Sequence, residues 1–238
     1  MKRRSLHIAA VLLLACGIAH AQKGLEPGEY LDGSGGYLIL KPGKGGTAFT
    51  LHTVGGNRHI CDAQGTIGAN NLAVLKPDPQ TTCTLRFVAR PEGVEVEVKD
   101  KCPAYCGARA SLDGIYRKPD TGCDRASVKK SRAEFKKLYD RKSYAEARKT
   151  LEPVVKRCQK FVEDRDDGWM RNDLAVTLHK LGDGAECRRT LEPLAAMAAK
   201  SDASIREDLP PNEADAMMSM VRATRTNLKL CEQAAKAQ

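Results

Sequence analysis

The ten residues Ala145-Glu146-Ala147-Arg148-Lys149-Thr150-Leu151-Glu152-Pro153-Val154 return forty positions later as Ala185-Glu186-Cys187-Arg188-Arg189-Thr190-Leu191-Glu192-Pro193-Leu194, with seven of the ten identical. A fixed period of about 20 to 50 residues marks stacked units, each too small to bury its own apolar face. The flanking pattern makes these units helical. Tyr144, Ala147, Leu151, Val154, Cys158 and Phe161 fall at spacings of three and four, as do Met170, Leu174, Leu178 and Leu181. Ala214, Met217, Val221, Leu228 and Cys231 form a third stripe. Such spacing places apolar side chains on one helical face.

Upstream of Lys118-Pro119-Asp120-Thr121-Gly122 the period changes to two. Tyr37 to Leu40, Ala48 to Val54, Leu72 to Leu75, Thr84 to Val88 and Val94 to Val98 read as short strands. The glycine- and proline-rich clusters at 32–36, 43–46, 55–57, 77–79 and 91–93 separate them. With Gly28-Glu29-Tyr30 and Gly114-Ile115-Tyr116 at the ends, seven or eight strands are expected. A meander of that size closes readily into a barrel, because closure removes exposed edges. The expected fold is therefore α+β in two domains. A disulfide-bonded antiparallel β-barrel or sandwich covers 22–119, and an all-α helical-hairpin repeat covers 123–238.

The helical half resembles the tetratricopeptide repeats. Leu174-Ala175, Leu178 and Leu181-Gly182-Asp183 ahead of Ala185 to Leu194 look like that family's first helix, turn and second helix. Phe135, Leu138 and Lys142-Ser143-Tyr144-Ala145-Glu146-Ala147 look like another copy. The resemblance spans about residues 127–235, with a last helix from about Pro211 to Ala235 as a cap. It implies stacked hairpins and, weakly, peptide binding. The period of 40 departs from the family's 34, and Pro153 and Pro193 inside the second helices predict kinks. The β half is similar in architecture only to small cysteine-containing barrels of envelope lipoproteins and lysozyme inhibitors. The chain's net positive charge opposes inhibition of basic lysozymes, which would repel it.

Compartment follows from the N-terminus. Met1-Lys2-Arg3-Arg4, an apolar run from Ile8 to Ala15 and Ala19-His20-Ala21 form the three parts of a secretory leader, residues 1–21. Leu13-Leu14-Ala15-Cys16-Gly17 offers a second reading, in which Cys16 is lipidated and anchors the protein to a membrane. No segment reaches the roughly 20 apolar residues of a membrane-spanning helix. Without the leader's Lys2, Arg3 and Arg4, 36 basic residues face 30 acidic ones. This surplus favours anionic partners. Export and the lack of basic runs interleaved with aromatics argue against nucleic acid.

Apart from Cys16, eight cysteines remain: Cys61, Cys83, Cys102, Cys106, Cys123, Cys158, Cys187 and Cys231. An even set in an exported chain reads as disulfides. Antiparallel hairpins turning near Asp140 to Ser143 bring Cys158 beside Cys123, and Cys187 early in the second unit should face Cys231 in the last helix. The β half allows three connectivities, of which Cys61–Cys83 with Cys102–Cys106 is the simplest.

Chemistry is sparse. Cys102-Pro103-Ala104-Tyr105-Cys106 has one residue too many for the thioredoxin-like redox motif, and His59 with Cys61, Cys102 and Cys106 makes a zinc site weaker than the disulfide reading. His52 and His179 read as surface or packing residues, and Glu95 and Glu97 as a solvated strand face. Glu163-Asp164-Arg165-Asp166-Asp167 lacks the spacing of a calcium loop and reads as a solvated linker between repeats. Met217, Met218 and Met220 read as packing residues, and Trp169 as packing between hairpins or as a contact anchor. Neither a catalytic residue nor a cofactor or metal is expected. The leading expectation is a non-enzymatic periplasmic binding or scaffold protein whose helices engage a protein or peptide. Arg148, Lys149, Arg188 and Arg189 would form a basic stripe for an acidic partner. The alternative is a small-ligand or cell-wall binding barrel with a helical appendage.

Overall fold

A computed structural model describes residues 24–236 of the chain. The expected leader and Cys16 lie outside the described residues. Eight antiparallel strands come first: β1 (Gly28–Leu31), β2 (Tyr37–Gly43), β3 (Gly46–Val54), β4 (Ile60–Ile67), β5 (Leu72–Leu75), β6 (Cys83–Arg90), β7 (Gly93–Val98) and β8 (Gly114–Arg117). Six helices follow: α1 (Arg125–Asp140), α2 (Tyr144–Arg157), α3 (Asp164–Lys180), α4 (Gly184–Ala199), α5 (Asp202–Asp208) and α6 (Pro211–Lys236). The two-domain α+β layout is as the periodicities require.

The strands pair in the order β4-β3-β2-β1-β8-β7-β6-β5, so the first and last strands of the meander meet and the sheet curls into a near-barrel. Its seam lies between β4 and β5. Alternation sends Leu38, Leu40, Phe49, Leu51, Leu85, Phe87, Val94, Val96 and Tyr116 into the interior, where all are buried. Phe49 and Phe87 meet there with ring centroids 5.0 Å apart. Side chains fill the lumen, as small barrels require. Burial also pushes the Tyr116 phenol well above its ordinary value.

Strand β4 escaped the sequence reading because its inward residues are small: Cys61, Ala63 and Gly65 precede Ile67. The structure gives the reason. A Cβ on Gly65 would stand 2.8 Å from Leu75 Cδ2 and 3.0 Å from Phe49 Cε1, so the seam closes by packing β5 against a bare backbone position.

In the helical half, α1/α2 and α3/α4 are successive hairpins, with Ala147, Leu151, Met170, Leu174, Leu178, Cys187 and Leu191 in one continuous core. Helices α2 and α4 continue through Pro153 and Pro193 without interruption of helical structure. The acidic run is not a linker. It forms the first turn of α3, where carboxylates suit the helix dipole. Asp167 there is buried and paired with Arg171 at 2.6 Å. Asn172 of α3 donates to Thr224 Oγ1 at 2.8 Å and accepts from Asn227 at 2.9 Å, joining α3 to α6 through a buried polar set.

All eight post-leader cysteines are oxidised. Cys123–Cys158 and Cys187–Cys231 join the helices as hairpin geometry demands. In the barrel the pairs are Cys61–Cys106 and Cys83–Cys102, not the simplest pairing. The segment after β7 crosses the barrel end: Lys99 N donates to Thr84 O, setting Cys102 beside Cys83, and Gly107 N donates to Ile60 O, setting Cys106 beside Cys61. Strand β4 is far from β6 in the sheet order. Four such bridges point to an oxidising environment. Non-reducing peptide mapping should recover the 61–106 and 83–102 cross-links. Replacing Cys187 and Cys231 with Ser should cost about 4 kcal/mol of unfolding free energy on the chain-entropy view, read by denaturant titration.

Candidate functional site

The two halves meet at one end of the barrel. There the β1–β2 turn is closed by Asp32, whose Oδ1 accepts from Ser34 N at 2.7 Å and Gly36 N at 2.8 Å. Gly33 within it has φ +86°, and a Cβ there would lie 2.7 Å from the carbonyl oxygen of Lys160. Only glycine lets this turn rest on the 159–161 segment between α2 and α3. Leu31, at the end of β1, is 2% exposed and packs with the helical core.

The β3–β4 loop makes the second contact. Arg58 donates to Glu163 Oε1 at 2.8 Å. Asn57, held in the left-handed region at φ 56°, accepts on its Oδ1 from Asn212 N at 3.1 Å. Its own backbone N–H donates to the Glu213 carboxylate. This is the reciprocal arrangement of a helix capping box, in which a capping side chain takes an N-terminal N–H and an acidic residue in the first turn returns to the cap's N–H. Here the cap comes from another domain, 155 residues away. Helix α6 needs it, because Pro210 precedes it and has no side-chain acceptor.

A cavity of about 470 Å³ opens at this junction. Leu31, Val128, Phe161 and Val162 line its apolar part; Arg125, Lys129, Arg132, Glu163 and Asp166 are its charged groups. Arg125 is fixed by Glu29 and lies 3.3 Å above the Tyr37 ring centroid. Arg132 pairs with Asp166 at 3.4 Å. Lys129 is exposed and has no ion pair among the described residues. On α3, burial raises the Asp173 carboxyl above its usual range against the opposing pull of Arg132 and Lys136 of α1. A second cavity of about 380 Å³ lies across Glu163, between Arg58, Met197, Leu209 and Met217.

The sequence-derived candidates fall elsewhere. Arg148 bonds to Glu152 at 2.9 Å and reaches Asp183 of the next hairpin at 3.2 Å. That bridge between repeats holds the Glu152 carboxyl below its usual range, Arg148 being the main cause and Lys156 the next. Arg189 pairs with Glu186, leaving Lys149 and Arg188 as the exposed, unpaired members of the four. Trp169 packs with Met197, Leu209 and Met217 around Ile205, Met218, Met220 and Val221. His52 stacks on Tyr37 and bonds to Asp62 at 2.7 Å on the barrel's outer face, outside both cavities. Cys61, Cys102 and Cys106 are in disulfides, so none offers a thiolate. Among the described residues no group of three or more His, Cys, Asp or Glu is placed to hold a metal ion, and no helix is long and apolar enough to cross a membrane.

The site is thus an amphipathic cleft whose walls come from both domains. Compared with family models, with curated proteins and with solved structures, the chain finds no match.

The junction predicts an order of effects at Asn57. Asn57→Gly keeps the left-handed backbone and loses only the cap, costing from a few tenths to about 1 kcal/mol. Asn57→Val loses the cap and adds the strain of a β-branched residue at positive φ, on the order of 1–3 kcal/mol more. Thermal unfolding with hydrogen exchange at the start of α6 reads both; unchanged protection there in Asn57→Gly would contradict the capping role, and equal destabilisation by the two variants would contradict the strain.

Proposed function

We propose that this chain is a non-enzymatic binding or scaffold protein of an oxidising space outside the cytoplasm, the periplasm in the first instance. Its tetratricopeptide-like half engages a protein or peptide partner at the junction with the barrel. The junction cavity carries this reading. It has the volume of a binding site, an apolar floor and a few convergent charged groups. One wall is α1, the first helix of the first hairpin, which brings Arg125, Val128, Lys129 and Arg132 to it.

The filled barrel lumen speaks against the alternative in which a small ligand sits inside the barrel. Catalysis has no support from geometry, since no nucleophile in either cavity is set beside a general base. Compared with the stripe at Arg148, Lys149, Arg188 and Arg189, the cavity offers burial as well as charge, and two of those four residues, Arg148 and Arg189, already serve neighbouring carboxylates.

A photoreactive benzophenone side chain at Lys129, in the chain expressed with its own leader in its native cells, tests this. Lys129 should give a discrete polypeptide adduct, and Lys44, on a β-hairpin turn distant from the cavity lining, should give none. Identical adduct patterns at the two sites, or none at either, would refute the reading.

A further inference from the structure

The chain's charge is not spread evenly. Residues 125–160, the hairpin α1/α2 and the turn after it, hold thirteen Lys and Arg against four Asp and Glu. That surplus equals the formal net charge of +9 of the whole chain, and without the leader's Lys2, Arg3 and Arg4 the remainder holds 23 basic against 26 acidic residues. The repeat-related stretch 164–199, α3/α4, holds five basic and seven acidic residues. Both hairpins bury the same core positions, Ala147 and Leu151 in one and Cys187 and Leu191 in the other. The hairpin fold therefore does not require the charge. It is a property added to the first copy.

Much of it is unneutralised. Lys129, Lys130, Arg141, Lys142, Lys149 and Arg157 are exposed and carry no ion pair among the described residues. Concentrated charge of one sign raises the local concentration of opposite charges and speeds their arrival. The same helix α1 lines the junction cavity with Arg125, Lys129 and Arg132, beside the apolar Val128 and Phe161. A ligand matching both features carries several negative charges and at least one large apolar group.

Two sources fit anionic chemistry in general, a bilayer surface and a polypeptide. A bilayer cannot enter a cavity. An interfacial helix would also need exposed apolar side chains to insert. Among the described residues the large exposed ones are Ile60, Val74, Ile115 and Leu181, none of them on α1 or α2. We propose that the occupant of the junction cavity is an acidic polypeptide segment bearing a large apolar side chain, drawn in by the field of α1/α2 and anchored on Leu31, Val128, Phe161 and Val162. This rests on the binding reading above and specifies its ligand class.

Selection of a phage-displayed random dodecapeptide library on the oxidised full-length mature chain tests it. Enriched sequences should place Asp or Glu around Phe, Leu, Ile or Trp. The synthetic peptides should bind about tenfold more weakly to a Lys129→Glu, Lys130→Glu, Arg141→Glu variant and at raised salt, whereas Lys41→Glu, Lys44→Glu in the barrel should change binding less than about twofold. The reversed side chains are exposed, and far-UV circular dichroism checks that each variant is folded. Enrichment of neutral or basic sequences, no enrichment, or indifference to charge reversal overturns the proposal, as does binding to phosphatidylglycerol vesicles without peptide binding. A Lys129 adduct in cells that survives charge reversal would sink this inference while leaving the binding reading intact.

Discussion

The joint between the barrel and the last helix turns on one exchange of hydrogen bonds, between Asn57 of the barrel and the start of α6. A helix begins with N–H groups that its own turns cannot satisfy. After Leu209-Pro210-Pro211 the local chain has no side-chain acceptor in the capping position, and Asn57 supplies it from the β3–β4 loop. The Arg58–Glu163 pair and the Gly33 contact with Lys160 add to the same seam. None of the four disulfides crosses it. Two lie within the barrel and two within the helices. Covalent bonds stiffen each half, while the angle between them is set by hydrogen bonds, the ion pairs Arg58–Glu163 and Arg125–Glu29 and the burial of Leu31.

Each half has its own reason for needing those bridges. The near-barrel is open between β4 and β5, and Cys61–Cys106 ties the β4 edge to the segment that crosses the barrel end. The array has only two repeat-related hairpins, whereas stacked repeats usually need about three for stability. Cys187–Cys231 binds the second hairpin to α6, and the Asn172–Thr224–Asn227 set fixes the register of that packing. Partners held this way are costly to misalign, because a slipped α6 would leave buried amides unpaired. The Asp167–Arg171 pair is a weaker prop. Burial raises the Asp167 carboxyl despite its bond to Arg171, so desolvation offsets much of the attraction.

Much of this was legible in the sequence, and what was not has identifiable causes. The repeated block at 145–154 and 185–194 announced the hairpins, and with them both helical disulfides, since antiparallel helices leave few ways to place Cys158 and Cys231. The period-two runs announced seven strands. Strand β4 stayed hidden because its inward positions are Cys61, Ala63 and Gly65, chosen for a seam and not for strand propensity. The barrel disulfides were misread because chain order stood in for sheet order, and the loop after β7 crosses the barrel end. The run Glu163 to Asp167 looked like a solvated linker on composition; its place at a helix start, with Asp167 turned inward, is a tertiary fact. The short helix α5 had only its Ser201 cap and Asp202 as local signals, and the Asn57 cap left none. No window of sequence can show that a loop asparagine caps a helix 155 positions further on.

The charge asymmetry is of another kind, since it was readable from the start once the chain is counted by hairpin. Repeats that share a core are free to differ on their surfaces, because exposed substitutions change stability little. A difference of eleven formal charges between α1/α2 and α3/α4 is thus not explained by folding. Folding would disfavour it, as like charges on one hairpin repel. At physiological salt the field of such a patch reaches about 8 Å into solvent, enough to orient a charged segment in its last step of approach but not to hold it. Holding needs burial, and this charged helix borders a concave apolar surface at the junction, with Val128 and Phe161 beside Arg125 and Lys129. Field and floor thus occupy adjacent faces of the same helix, and the β1–β2 turn of the barrel, with Leu31, Gly35 and Gly36, forms the facing wall.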